Sequence, residues 1–200
     1  MKKIYVVGDS ISIHYGPFLE RYLRGKVAYA RKEGAEEALL NLDRPQGANG
    51  GDSSMVLAFL KAKGDLAVDR VLVNCGLHDI KTTPATGAKQ VPLDQYQANL
   101  RAIVAHVGAK LIWIRSTPCD ERIHNARPGM EFFRYAADLA AYNAAADAIM
   151  AAAGVPVIDL YTFTVNLGPD LYCDHVHFPE PIREKQAAFI AGWLDGYFRR

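Results

Sequence analysis

The chain has 200 residues, of which 50% are hydrophobic and 22% charged, and its formal net charge is +1. This length fits one domain spanning residues 1–200, with apolar side chains enough for a sizeable core. The near-neutral charge offers no strong field to draw in nucleic acid or an acidic membrane surface.

The first residues, MKKIYVVGDS, begin basic, but the apolar run ends at Gly8 and Asp9. That run is too short for the core of a secretion signal, and no stretch approaches the ~18 apolar residues of a membrane span. A cytoplasmic location is expected. Cys75, Cys119 and Cys173 are too scattered for a disulfide framework or a zinc knuckle.

Five apolar runs read as strands: KIYVV, KVAYA, RVLVNC, KLIWIR and VPVIDLY. Their hydrophobicity is continuous rather than alternating, as in a parallel sheet buried on both faces. Helical patterns lie between them. Residues 17–24, PFLERYLR, open on Pro17 and close before Gly25, which predicts a helix beginning at the proline. Leu93, Tyr96, Leu100, Ile103, Val104 and Val107 share one helical face. Similar stripes run from Leu139 to Met150 and from Phe189 to Tyr197. Strands alternating with amphipathic helices predict a three-layer α/β/α sandwich on a mostly parallel, five-stranded sheet. The connections 78–92 and 117–131 both follow strands, so both are expected beyond the carboxyl edge, where open α/β sheets bind ligands.

The tripeptide Gly-Asp-Ser occurs at 8–10 and again at 51–53. Ser10 follows the first strand and precedes the Pro17 helix, which places it in a loop facing a ligand. Ser53 follows GANGG and precedes MVLAFL, so Asp52 or Ser53 is expected to cap a helix, with the Gly51 N–H free for something nearby. A serine becomes a nucleophile only when a base takes its proton, and that base needs an orienting carboxylate. YCDHVHFPE supplies both: Asp174 can fold back onto Nδ1 of His177 while Nε2 points outward. His175 points the other way in an extended segment. Cys173, His175 and His177 could face one side of a strand, but no second ligand cluster accompanies them, so no metal is expected.

VVGDSIS after the first strand, Gly51 after an Asn/Gly-rich loop, NCGLHD after the third strand and DHVH before the last helix occur in the order of four blocks of the SGNH (GDSL) hydrolases. The chain resembles that family over nearly its whole length. The resemblance implies Ser10 as nucleophile, Asp174 as orienting acid and His177 as base, with Gly51 donating a backbone N–H to the oxyanion hole. One block departs: the family has asparagine where this chain has His78. Neutral histidine also carries one N–H and can take the donor role beside the amides of Ser10 and Gly51. Asp79 is expected to hold its loop, and Trp113, Phe132, Phe133 and Tyr135 to be core or pocket wall.

The resulting expectation is a serine esterase that works through an acyl-enzyme and requires no cofactor. Lys81, Lys89, Arg115, Arg122, His124, Asn125 and Arg127 make the two long loops polar, favouring a short, acetyl-like group on a saccharide or other polar alcohol. A lipid or thioester acylhydrolase, an acyltransferase and a catalytically impaired binding domain are the alternatives.

Overall fold

The structure, a computed structural model, describes residues 1–199. Among them, five strands form one sheet in the order β2-β1-β3-β4-β5, with every pair parallel. The strands are β1 (Lys2–Val7), β2 (Val27–Arg31), β3 (Arg70–Val73), β4 (Leu111–Ile114) and β5 (Val157–Ile158). Leu72, Val73 and all of β4 are buried, which explains their unbroken apolar sequence. The last strand is shorter than VPVIDLY suggested. Asp159 caps a helix by accepting the Thr162 N–H at 3.0 Å, so Leu160 and Tyr161 leave the sheet.

Two layers of helices flank the sheet. Right-handed crossovers send α1 (Ser10–Leu23) to one face, and α3 (Ser53–Lys63), α4 (Leu93–Val107) and α6 (Ala136–Ala152) to the other. Two further helices, α7 (Leu160–Val165) and α8 (Glu180–Phe198), complete the α1 layer, with α8 packed on both α1 and α7. Short helices α2 (Ala35–Leu40) and α5 (Glu121–Asn125) sit in connections. No helix among the described residues is long and apolar enough to cross a membrane.

The first helix corrects an expectation. It begins at Ser10, not at Pro17, which is an exposed residue inside it. Asp9 sets the start: its Oδ1 accepts the Ile11 N–H at 3.0 Å, and its carbonyl accepts the amides of Ser12 and Ile13. Ile11, Tyr15, Leu19 and Leu23 recur every fourth residue as one buried stripe, and this burial with the Asp9 cap overrides the helix-breaking tendency of proline. Close packing also fixes Gly8. A Cβ there would lie 2.9 Å from the Ser12 Cβ, so only glycine lets the strand turn directly into the helix.

Strand order reverses between β1 and β3. The crevice opened at such a switch point is where α/β sheets bind ligands. Ser10 follows one of these two strands, and the Asn74–Asp79 segment follows the other.

Candidate active site

Ser10 is the first residue of α1 and is 5% exposed. Its Oγ lies 2.8 Å from His177 Nε2, across 167 residues of chain. His177 Nδ1 in turn lies 2.7 Å from Asp174 Oδ2. The other Asp174 oxygen accepts the amides of Val176 and His177 at 2.8 and 2.7 Å, so a single turn aligns carboxylate and imidazole. Burial pushes the Asp174 carboxyl up, but the His177 ring and the two amides outweigh it and hold the group well below the usual carboxylate range. It therefore stays ionised, and its charge favours a proton on Nδ1. The lone pair of Nε2 is then left for the Ser10 hydroxyl.

His14, one turn beyond Ser10 on α1, packs edge-on against His177 with ring centroids 5.1 Å apart. Burial, together with the charges of Arg183 and His177, lowers its pKa to about 3, so this wall of the site is a neutral ring. With the helix expected to begin at Pro17, the i,i+4 relation of Ser10 and His14 was hidden.

The second Gly-Asp-Ser is structural. Asp52 caps α3 by accepting the Met55 N–H at 3.0 Å, and the Ser53 Oγ accepts from Asn99 Nδ2 at 2.8 Å. The Gly50 amide donates to the Gly8 carbonyl at 2.8 Å, which ties this loop to the turn that carries Ser10. The Gly51 amide, expected to be free, instead donates to Asn49 Oδ1 at 3.0 Å in an Asx turn. Gly51 has φ +73, and a Cβ would meet Met55 Sδ at 2.6 Å and Pro45 Cβ at 2.8 Å. Gly51→Ala is expected to destabilise the fold by about 1–3 kcal/mol through strain and overpacking. An unchanged urea midpoint would show that the loop relaxes instead.

The third block follows β3. Asn74 spends its amide on the Ile114 carbonyl at 2.9 Å and Ser116 Oγ at 3.2 Å, pinning β3 to the end of β4. His78 is 2% exposed, and its Nδ1 is buried without a hydrogen-bond partner. Burial, followed by the charges of Lys81 and Arg134, holds the ring well below the usual imidazole pKa and therefore neutral. Asp79 holds the loop, as expected: both of its oxygens face the Ser53 N–H, at 3.0 and 3.1 Å.

Burial chiefly, with the Asp52 charge adding to it, pushes the Asp79 carboxyl up to about 7 against the Ser53 hydrogen bonds. The folded protein then keeps a proton that the unfolded chain releases at 3.8, so this residue's stabilising contribution is whole below 3.8 and gone above about 7. Urea midpoints measured from pH 4 to 8 should show that decline in the wild type and a flatter course in Asp79→Asn. Parallel profiles would refute the assignment.

A polar cleft of about 520 Å³ lies alongside, lined among others by Asp43, Arg44, Lys81, Gln90, Arg127 and Phe132. None of Ser10, Asp174 and His177 lines it, but it reaches their neighbours: Gln90 donates to Asp52 Oδ2 at 2.7 Å, next to Gly51, and Asp43 Oδ1 lies 3.2 Å from His175 Nε2, two residues before His177. Of the loop cations expected to face a ligand, Lys81 and Arg127 line this cleft. Lys89 is paired with Asp138, Arg115 with Asp147 and Asp159, and Arg122 with Asp120. His124 is buried, and Asn125 is bonded to the Arg134 backbone. Trp113 is core, whereas Phe132 is cleft wall.

Asp174, His175 and His177 offer ligand atoms within 4.8 Å of one another. Both ring nitrogens of His177 are already engaged by Ser10 and Asp174, and those of His175 face Asp43 and His124. Cys173 stands apart, with its Sγ toward the His177 carbonyl at 3.5 Å.

A profile of the GDSL-like lipase/acylhydrolase family matches residues 6–180. No curated protein sequence is significantly similar to the chain. Among solved structures, the lipase/acylhydrolase from Enterococcus faecalis superposes with a TM-score of 0.74 at 21% identity, over 98% of this chain and 97% of that one. An acetyl xylan esterase gives 0.69 at 15% identity, over 96% and 99% of the two chains. A carbohydrate acetylesterase from Sinorhizobium meliloti gives 0.61 at 13%, over 98% and 100%. At such identities these structures share the fold with this chain.

Proposed function

The chain belongs to the GDSL-like lipase/acylhydrolase family, and from that premise we propose that it is a serine esterase removing a short acyl group, acetyl in the first instance, from a polar alcohol such as a sugar. One observation carries the chemistry: the hydrogen-bonded series from Ser10 Oγ to His177 to Asp174, with both steps under 3 Å. Ser10 gives its proton to His177 Nε2 as its oxygen attacks the ester carbonyl carbon. The oxyanion is held by the Ser10 amide, by His78 and by the Gly51 amide, which must be shared with Asn49 or released from it. Collapse breaks the bond to the alcohol oxygen, and His177 returns the proton to that oxygen. Water then attacks the acyl-Ser10 carbonyl, loses a proton to His177 and frees the carboxylic acid, with Ser10 recovering its hydrogen.

Support for a polar alcohol comes from the cleft, where charged and amide side chains share the lining with Pro45, Pro128, Met130 and Phe132. A long alkyl chain would desolvate those groups without replacing their hydrogen bonds with water. The names of two structural neighbours, an acetyl xylan esterase and a carbohydrate acetylesterase, agree with this reading.

The test is hydrolysis of p-nitrophenyl esters from acetate to octanoate and acetate release from acetylated xylobiose, alongside a mass-spectrometric search for a phosphonofluoridate adduct. Short esters and the sugar acetate should turn over, and the adduct should map to Ser10. A protein that neither turns over any of these substrates nor takes the label is not this enzyme. A preference for octanoate would move the substrate class to lipids.

A further inference from the structure

Arg134 is 2% exposed, yet among the described residues no carboxylate oxygen lies within 4.0 Å of its guanidinium. A buried, unpaired cation is costly, and removing it from water requires compensation elsewhere. The chain holds it in place with care. Asn125 clamps the Arg134 backbone from both sides, its Oδ1 accepting the amide and its Nδ2 donating to the carbonyl, each at 2.9 Å. Phe133 and Thr82 exchange amide-to-carbonyl hydrogen bonds at 2.8 Å in both directions. The segment is thus fixed to both long loops, and it delivers the guanidinium beneath the third block. There Nε donates to the Leu77 carbonyl at 2.7 Å, Nη1 lies 3.3 Å from His124 Nδ1, and Cζ sits 4.9 Å from the Phe132 ring centroid.

Leu77 C=O and His78 N–H belong to one planar peptide unit, so fixing the carbonyl fixes the rotation from which the His78 side chain departs. That side chain is the one proposed above to serve the oxyanion. We propose that Arg134 is a positioning residue for His78, anchoring the peptide that carries it and placing a permanent positive charge behind it so that the imidazole serves the oxyanion as a neutral donor. This inference rests on the Ser10 esterase reading. The charged and titratable groups facing His78 are Lys81, Arg134, Asp43 and His177, with Asp43 alone favouring the cation. Behind Arg134 a polar chain continues: His124 Nδ1 lies 2.8 Å from His175 Nδ1, and His175 Nε2 lies 3.2 Å from Asp43 Oδ1. His124 and His175, buried and used by neither the triad nor the oxyanion hole, thereby acquire a place: His124 contacts the guanidinium and His175 backs His124.

The experiment is a double-mutant cycle on p-nitrophenyl acetate hydrolysis, followed across pH 5–9. Arg134→Met should lower kcat by up to the roughly 10²–10³ that losing an oxyanion donor costs, and should bring a new acid limb into the profile as His78 begins to protonate. Arg134→Gln, which can still donate to Leu77, should recover part of kcat but retain the new limb. In a His78→Asn background, Arg134→Met should retain only the part of the loss that comes from the loosened peptide and should add no limb, because asparagine does not titrate. Equal losses in both backgrounds, with no new acid limb in the protein that keeps His78, would reduce Arg134 to a structural residue. Should the arginine variants fail to fold, ¹⁵N-histidine NMR of the wild-type protein still tests the requirement for a neutral donor: a His78 ring that stays neutral to pH 5 meets it, and one that titrates near 6.5 overturns the proposal. A wild-type protein with no Ser10-dependent activity would sink the esterase reading instead, whatever the NMR shows.

Discussion

Ser10→Ala is expected to lower kcat for p-nitrophenyl acetate by roughly 10⁴–10⁶ while leaving the fold intact. Ser10 occupies the first position of α1, where the capping bonds come from Asp9, so alanine removes the hydroxyl without touching the cap. What remains should be the small rate enhancement of the oxyanion donors acting on bound ester with water as nucleophile. Ser53→Ala, in the second copy of the same tripeptide, provides the contrast. It loses the hydrogen bond from Asn99, worth about 1 kcal/mol of stability, and should retain turnover within a few fold. Steady-state kinetics and urea denaturation of the two variants side by side would decide it. Comparable losses of kcat in both would remove Ser10 from the centre of the chemistry.

Asp174→Asn should cost roughly 10³–10⁴ in kcat, and the local geometry explains why so small a change does so much. Asp174 Oδ1 accepts two backbone amides, from Val176 and His177, and an asparagine must keep its carbonyl oxygen there to satisfy them. Its NH₂ group then occupies the place of Oδ2, 2.7 Å from His177 Nδ1, and donates where the carboxylate accepted. The imidazole answers by moving its proton to Nε2, so that an N–H faces Ser10 where a lone pair is needed. Stability should change little, because the two amide bonds survive. Kinetics together with ¹⁵N-histidine shifts would show the tautomer change. A loss below tenfold, or an unaltered tautomer, would mean that the carboxylate is not what sets the ring.

Half of the site was legible in the chain because half of it is local. The pairing of Asp174 with His177 is the closure of one turn, so the spacing of two residue types foretold it. The placing of Ser10 at the carboxyl edge needed only an apolar strand followed by Gly-Asp-Ser. Similarly, continuous apolar runs separated by amphipathic helices mark a parallel sheet, because strands covered on both faces have no solvent side to alternate with. Where the reading failed, a local preference met a stronger neighbour. Pro17 suggested a helix start, but the Asp9 cap and the buried stripe from Ile11 to Leu23 set it a full two turns earlier.

Sequence alone therefore determined the class of sheet, the edge at which Ser10 stands and the pairing of Asp174 with His177, since each follows from patterns among residues close in the chain. Tertiary structure alone decided that His177 comes within 2.8 Å of Ser10, which loop cations face the cleft and which are paired elsewhere, and that Arg134 stands beside the His78 peptide. In the sequence Lys81, Lys89, Arg115, Arg122 and Arg127 are equivalent positive charges on polar connections. Their roles diverge because electrostatic energy depends on distance and burial, and the fold sets both by bringing together segments as far apart as the 167 residues between Ser10 and His177.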